Sequence, residues 1–336
     1  MELNYAQYIL DQLIPGSKAT QLKVAKGGLI NETFFLDTTN ESYVLQKINK
    51  SVFKNYNRGL ENIITVKNWL ASTDFPYHFP TPIGDKYLEI NGEVFRLQPF
   101  IHNSISYDSI SNQEQAQEAS SCLGLFYRAL HKKPASSSLH LTIPNFHSGN
   151  FRLYQFSEAV KSAHKPRKAR SKKLIKNIEN HKQQLIDFDS INKMLPTRVV
   201  HNDTKISNFL FDKTSKKVSA LIDLDTLMPG TVISDIGDMI RTYSNTLNEN
   251  ATDFDNVFAN KEVINQIIDS FCSQAILSKE EKDQLKFGGR AITLIQCLRF
   301  LTDFLNNDIY YKVDYSDQNL DRAKNQWVLY NSLLIE

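Results

Sequence analysis

The chain has 336 residues, of which 41% are hydrophobic, 23% charged and 11% aromatic, a balance that excludes disordered, collagen-like and disulfide-scaffold classes. Lys and Arg number 39 against 37 Asp and Glu, so the net charge of +2 fits neither a whole-chain nucleic-acid binder nor an acidic tail. Domains of roughly 100 to 200 residues would divide this length into two lobes with a cleft between them.

Tyr5, Ile9, Leu10 and Leu13 fall at helical spacing and predict a helix over 5–14. From Gln21 to Ile48, short apolar runs are broken at Gly27-Gly28 and Thr39-Asn40, the pattern of a three-strand meander. Ile63, Ile64, Val66, Trp69 and Leu70 restore a helical period between Tyr56 and Leu70. Asn91-Gly92, set between Tyr87–Ile90 and Val94–Leu97, predicts a hairpin because both residues tolerate the positive φ of a tight turn. Residues 1–100 are therefore expected to form a small antiparallel-sheet lobe, and 101–336 a larger, mainly helical one. The second begins with Ser111 and Glu114 at capping-box spacing, ahead of an apolar stripe at Ala119, Cys122, Leu123, Phe126 and Leu130. Residues 197–225 revert to short strands, and from Ser234 the pattern is helical again.

Cys122, Cys272 and Cys297 stand far apart in apolar surroundings and match no metal knuckle or disulfide framework, so they are read as reduced core thiols of a cytoplasmic protein. Met1-Glu2-Leu3-Asn4 has no basic n-region, and no run of about 18 apolar residues follows, so neither export nor membrane spanning is expected.

The densest polar constellation is His201-Asn202-Asp203-Thr204-Lys205-Ile206-Ser207-Asn208, followed by a hairpin-like pair of strands and Ile222-Asp223-Leu224-Asp225. Two apolar strand ends would deliver Asp203, Asn208 and Asp223 to one place. Phosphoryl transfer from a nucleoside triphosphate needs such a set: a carboxylate to orient and deprotonate the attacking hydroxyl, and hard oxygen ligands for Mg²⁺. Asp203 is the candidate base, and Asn208 and Asp223 are the candidate metal ligands. The interval between base and amide equals that of a kinase catalytic loop. Three other readings compete. Asp223-Leu224-Asp225 alone is also the DxD of metal-dependent glycosyltransferases. His201-Asn202-Asp203 lacks the second His/Asp cluster of a metallohydrolase. Asp and Asn also serve as plain turn residues.

These motifs resemble the aminoglycoside phosphotransferase and choline kinase-type small-molecule kinases, and within them the N-acetylhexosamine 1-kinase branch. The resemblance extends to Asp223–Gly230, Asp235–Arg241, Tyr43–Asn49 and Phe146-His147. It implies a protein-kinase-like bilobal fold, ATP and Mg²⁺ as cofactors, and phosphorylation of the anomeric hydroxyl of an N-acetylhexosamine, GlcNAc or GalNAc, with another sugar, an aminoglycoside or a choline-like amine as the alternative acceptor. Gly27–Thr33 would then be the loop over the phosphates, with Gly28, Asn31 and Thr33 in contact with nucleotide. Lys47 is assigned to the α- and β-phosphates over its neighbour Gln46, which points to the opposite face, and Glu61 is its candidate helical partner. Gln98 and Phe100 fall in the hinge that would hold adenine. Asp235 would brace the catalytic loop, and Arg241 would pair with Asp238.

The same resemblance makes Arg299 and Tyr310 sugar-binding residues. An arginine supplies a fixed fork of donors, and a tyrosine a stacking face with a polar tip. The competing reading pairs Arg299 with Asp303, one helical turn away. Lys161, Lys165, Arg167, Lys168, Arg170, Lys172, Lys173 and Lys176 are read as a solvated helix face, since no aromatics interleave them for nucleic acid. His147 and His201 are expected to be structural hydrogen-bonders. No protein partner or membrane is implied. A protein kinase is disfavoured because Leu224-Asp225 follows Asp223, with no D-F-G or A-P-E.

Overall fold

A computed structural model describes residues 1–25 and 30–335. Helix α1 (Leu3–Leu13) precedes β1 (Ala19–Val24), β2 (Glu32–Thr38) and β3 (Ser42–Lys47); α2 (Tyr56–Leu70) follows, then β4 (Leu88–Ile90) and β5 (Glu93–Pro99). The strands form one antiparallel sheet in the order β1-β2-β3-β5-β4. The β4–β5 turn is Asn91-Gly92, with φ of 51° and 78°, as that dipeptide predicts. Strand alternation sorts the side chains onto two faces. Phe34, Leu45 and Leu97 lie across from one another and bury against Ala6, Ile9 and Leu10 of α1. Phe35, Val44 and Gln98, then Thr33, Gln46 and Arg96, occupy the opposite face, toward the larger lobe.

Helix α2 ties the two parts together. Its Ile63, Val66 and Leu70 belong to the core of the larger lobe. Asn62 Nδ2 donates to the carbonyls of His140 and Leu227, each at 2.8 Å.

The larger lobe begins with the short strand β6 (Ser104–Ile105) and continues through α3 (Gln113–Ala129), α4 (Ala135–Ser138), α5 (Gly149–Ser162) and α6 (Lys165–Met194). Then come β7 (Arg198–Val200), β8 (Phe209–Asp212), β9 (Val218–Leu221), β10 (Met228–Gly230) and α7 (Val232–Tyr243). Helices α8 (Lys261–Gln274), α9 (Lys279–Asp283), α10 (Leu285–Leu305) and α11 (Gln318–Leu333) complete it. Strand β7 pairs with β10, and β6, β8 and β9 form a second small sheet. The cap of α3 falls one residue later than its sequence predicts. Asn112 accepts from the Gln115 amide at 2.9 Å, and Gln115 Oε1 reaches back to the Ser111 amide at 2.7 Å, so Ser111 and Glu114 form no capping box.

Helix α7 supports the site and crosses α10 at close range. A Cβ at Gly237 would stand 2.6 Å from the Gly288 carbonyl oxygen and 2.6 Å from Ile292 Cγ1. Overpacking of this kind costs about 1–3 kcal/mol. Gly237→Ala should lower the midpoint of urea unfolding accordingly; an unchanged midpoint would mean that the two helices separate freely.

Candidate active site

Strand β7 ends at Val200 and β8 starts at Phe209, so residues 201–208 form a loop between two buried strands. Its shape is set by α7. Asp235, fully buried, accepts from the His201 amide (2.9 Å), the Asn202 amide (2.6 Å) and the Tyr127 hydroxyl (3.0 Å). Asp238 accepts from the Thr204 amide at 3.0 Å, and Tyr243 donates to the Thr204 carbonyl at 2.9 Å. Asn202 sits at φ 64°, a left-handed conformation that asparagine tolerates better than most residues. His201 is a structural hydrogen-bonder as expected, its Nε2 lying 2.9 Å from the Ile222 carbonyl. Asp235 therefore braces the loop, and Arg241 pairs with Asp238 at 2.9 Å.

This bracing brings Asp203, Asn208 and Asp223 together. Asn208 Nδ2 donates to the Asp203 carbonyl at 2.8 Å, which commits the amide nitrogen and leaves Oδ1 as the available ligand. Asp223 is held at φ 60° and ψ 60° just beyond β9. A carboxylate and an amide oxygen are the hard donors that Mg²⁺ takes together with waters and substrate phosphates, so the residues fit that ion. Burial opposes the charge of Asp203, but the Lys205 ammonium 2.8 Å away holds its carboxyl below the ordinary value. That shift favours the ionised form of Asp203. Burial raises Asp223, and Asp203 and Asp225 push the same way against Lys205. Such a crowded carboxylate favours a cation beside it.

The smaller lobe supplies a second set of groups, and here the register corrects the sequence reading. Gln46 lies opposite Thr33 and Arg96 on the cleft face, whereas Lys47 lies opposite Glu32 and Phe95 on the face toward α1. Lys47 pairs with Glu93, and with Glu32 at 3.6 Å. Glu61 is exposed and pairs with His140 at 2.7 Å, so the expected Lys47–Glu61 pair does not form. Arg96, fully buried, instead makes a two-pronged contact with Asp225. Asn31 Nδ2 reaches the same carboxylate at 2.8 Å, and Thr33 Oγ1 accepts from Gln46 at 2.9 Å. Gln98 faces the cleft and donates to the Pro80 carbonyl at 3.3 Å. The Phe100 amide is taken by the Ser42 carbonyl at 3.2 Å, leaving its ring edge-on to Phe35 at 5.7 Å. Gly28 lies outside the described residues.

On the opposite side, Arg299 of α10 stands 5.6–5.8 Å from the ring centres of Phe146, Tyr310 and Tyr311. Asp303 does not pair with it: its oxygens accept the amides of Tyr310 and Tyr311, both at 2.9 Å, and so shape the loop that presents Tyr310. Arg152 of α5 donates to the Phe146 carbonyl at 2.8 Å, while its Nε is buried without a partner. Burial and the nearby Arg299 lower its pKa to about 10.

His147 completes this cluster and departs from the structural role expected of it, since its Nδ1 is buried with no hydrogen bond. Burial, then Arg299, Arg152 and Arg241, lower its pKa to about 3 against the pull of Asp203. The folded value lies below the ordinary one, so the stability due to the neutral ring is fully present above about pH 6.5. It is lost as the pH falls toward 3, at up to about 1.4 kcal/mol per pH unit. Urea unfolding of His147→Gln should show a shallower acid loss than wild type in that window; an identical slope would mean that the ring titrates normally.

The sequence reading gives no role to Lys205, Arg96 or Arg152, and it reads Asp225 only within the DxD and His147 only as a structural hydrogen-bonder. Lys205 lies inside the motif and was open to notice; the others are assembled by tertiary contacts. The basic segment is also more than a solvated face. Its lysines are exposed, but Arg167 lies 2.6 Å from Asp308 and 4.5 Å from the Phe304 ring centre, and Arg170 pairs with Asp317. These contacts pin α6 to the segment after α10.

A small antiparallel-sheet lobe joined to a helical lobe, with a braced loop that brings Asp203, Asn208 and Asp223 together, is the architecture of a kinase-like phosphotransferase. Residues 21–257 match the model of the phosphotransferase enzyme family, APH, and the chain belongs to that family. It is a small-molecule phosphotransferase acting on a hydroxyl. Among solved structures it resembles a spectinomycin phosphotransferase in complex with ADP and spectinomycin, at 13% identity and a TM-score of 0.65, covering 100% of this chain and 98% of that one. The GDP complex of aminoglycoside 2'-phosphotransferase-IIIa matches at 12% identity and 0.64, over 97% and 98% of the two chains. A microcompartment-associated aminopropanol kinase matches at 11% and 0.61, over 99% and 98%. No helix among the described residues is long and apolar enough to cross a membrane.

Proposed function

We propose that the protein is an ATP- and Mg²⁺-dependent kinase that phosphorylates the anomeric hydroxyl of an N-acetylhexosamine, GlcNAc or GalNAc, giving the sugar 1-phosphate and ADP. The observation that carries the acceptor class is the acceptor-side cluster. Arg299 among three aromatic rings, with Arg152 and the uncharged His147 beside it, forms a cationic and aromatic wall with no carboxylate paired to either arginine among the described residues. A cationic acceptor such as an aminoglycoside or a choline-like amine would be repelled by that wall. A neutral sugar finds what it needs there: guanidinium donors for an acyl carbonyl and ring hydroxyls, and aromatic faces for its C–H surface.

The ionised Asp203 accepts the proton of the attacking hydroxyl and orients its oxygen in line with the γ-phosphate. Lys205, paired with Asp203, would neutralise charge on the transferred group. Asn208 and Asp223 would hold the magnesium ion, which neutralises charge on the β- and γ-phosphates when bound. Release of ADP over a panel of N-acetylhexosamines, other sugars, aminoglycosides and amines tests the acceptor class. Turnover is expected with N-acetylhexosamines, and turnover restricted to amines would overturn the sugar assignment while leaving the phosphotransferase intact.

A further inference from the structure

Phosphoryl transfer needs a cation on the α- and β-phosphates, and in kinases that cation is a lysine of the third strand paired with a glutamate of the following helix. Neither partner is in place here. Lys47 faces α1, and Glu61, the one acidic residue of α2, pairs with His140. The cleft-facing positions at the centre of β3 and β5 are Val44, Gln46, Arg96 and Gln98, of which Arg96 alone is charged.

Arg96 is fully buried and held in one orientation by its neighbours. Its Nε donates to Gln46 Oε1 at 2.8 Å, its Nη1 to Asp225 and the Tyr87 hydroxyl, and its Nη2 to Asp225 at 2.9 Å. Four of the five guanidinium N–H groups are thereby committed, and one Nη2 hydrogen remains free. Asp225 lies two residues beyond the metal ligand Asp223, and it also receives Asn31, from the segment predicted to cover the phosphates. A buried ion pair is a weak contributor to stability, because desolvation offsets its attraction. Its place beside the metal loop accords better with a ligand.

We infer that Arg96 is the cation that binds the α- and β-phosphates of the nucleotide, with Asp225 as its positioning carboxylate. The pair does the work of the missing strand lysine and helix glutamate with the sites exchanged: the cation has moved one strand over, to the position directly across from Gln46, and the carboxylate has moved to the metal loop.

The assignment rests on the nucleotide kinase reading, and calorimetric titration with ADP and with adenosine, both in Mg²⁺, separates the two. Wild-type protein that bound no ADP would overturn the kinase reading and the assignment with it. Given binding, Arg96→Gln should weaken ADP about 30-fold, as loss of a charge-assisted contact predicts, and change adenosine affinity less than about twofold. Unchanged ADP affinity, or an equal loss for both ligands, would overturn the assignment while the kinase reading stands. Arg96→Lys keeps the charge and carries the test if the glutamine variant does not fold. It should weaken ADP by about five- to tenfold and leave adenosine unaffected; parallel losses or none would overturn the assignment. Gln46→Lys in the Arg96→Gln background should restore most of the lost ADP affinity, because it returns a cation to the paired position on β3.

Discussion

Asp203→Ala should turn over about 10³-fold more slowly than wild type while binding Mg·ADP with unchanged affinity. The separation follows from which atoms the substitution removes. The backbone carbonyl of Asp203, which holds Asn208 Nδ2 at 2.8 Å, survives, so the donors beside the metal position stay oriented. Only the carboxylate is lost, and with it the acceptor for the hydroxyl proton. Lys205 loses its partner at 2.8 Å but keeps the charge of Asp223 nearby, so the local fold should hold. Steady-state kinetics with calorimetry checks both halves: wild-type turnover would remove Asp203 from the chemistry, and a parallel loss of nucleotide affinity would make it a structural residue.

Asp235→Asn should be as damaging, by another route. Its two oxygens accept three hydrogen bonds in a site with no solvent exposure. An amide presents a donor where one oxygen stood, so it faces an N–H group of the catalytic loop and leaves a buried donor unpaired. Such a change costs about 2–4 kcal/mol and releases the loop that positions Asp203. Burial raises the pKa of Asp235, and His201 and the loop amides oppose that rise, so the native carboxylate depends on the bonds it accepts. Urea unfolding should show the loss of stability, and turnover should fall about 10²-fold or more in the fraction that remains folded. Full stability with full activity would show that the loop holds its shape without α7.

Much of this was legible because it is local. Asp203 and Asn208 lie on one loop between apolar strands, and Asp223 follows the β8–β9 hairpin that leads back to that loop, so the order of short local elements brings them together. The Asn91-Gly92 turn and the period of α2 are likewise short-range signals. Lys47 shows where local reading stops. Strand side chains alternate with period two, so a choice between neighbours depends on which face is buried, and a one-residue error inverts it. That face is set by α1, more than thirty residues earlier in the chain. Arg96 was invisible for the same reason. Its partner is 129 residues away, and in sequence it is one charged residue in an alternating strand. His147 and Arg152 are brought beside Arg299 of α10 by tertiary packing, which no spacing records.

The central claim is that the Asp203 site places phosphate on the anomeric oxygen of an acylated sugar. The protein should be incubated with Mg·ATP and N-acetylglucosamine, and the product examined by phosphorus–proton correlation NMR, with Asp203→Ala in parallel. The expected spectrum shows one new phosphorus signal coupled to the anomeric proton, absent from the variant. Coupling to another ring proton, no sugar phosphate at all, or an undiminished signal from Asp203→Ala would contradict it.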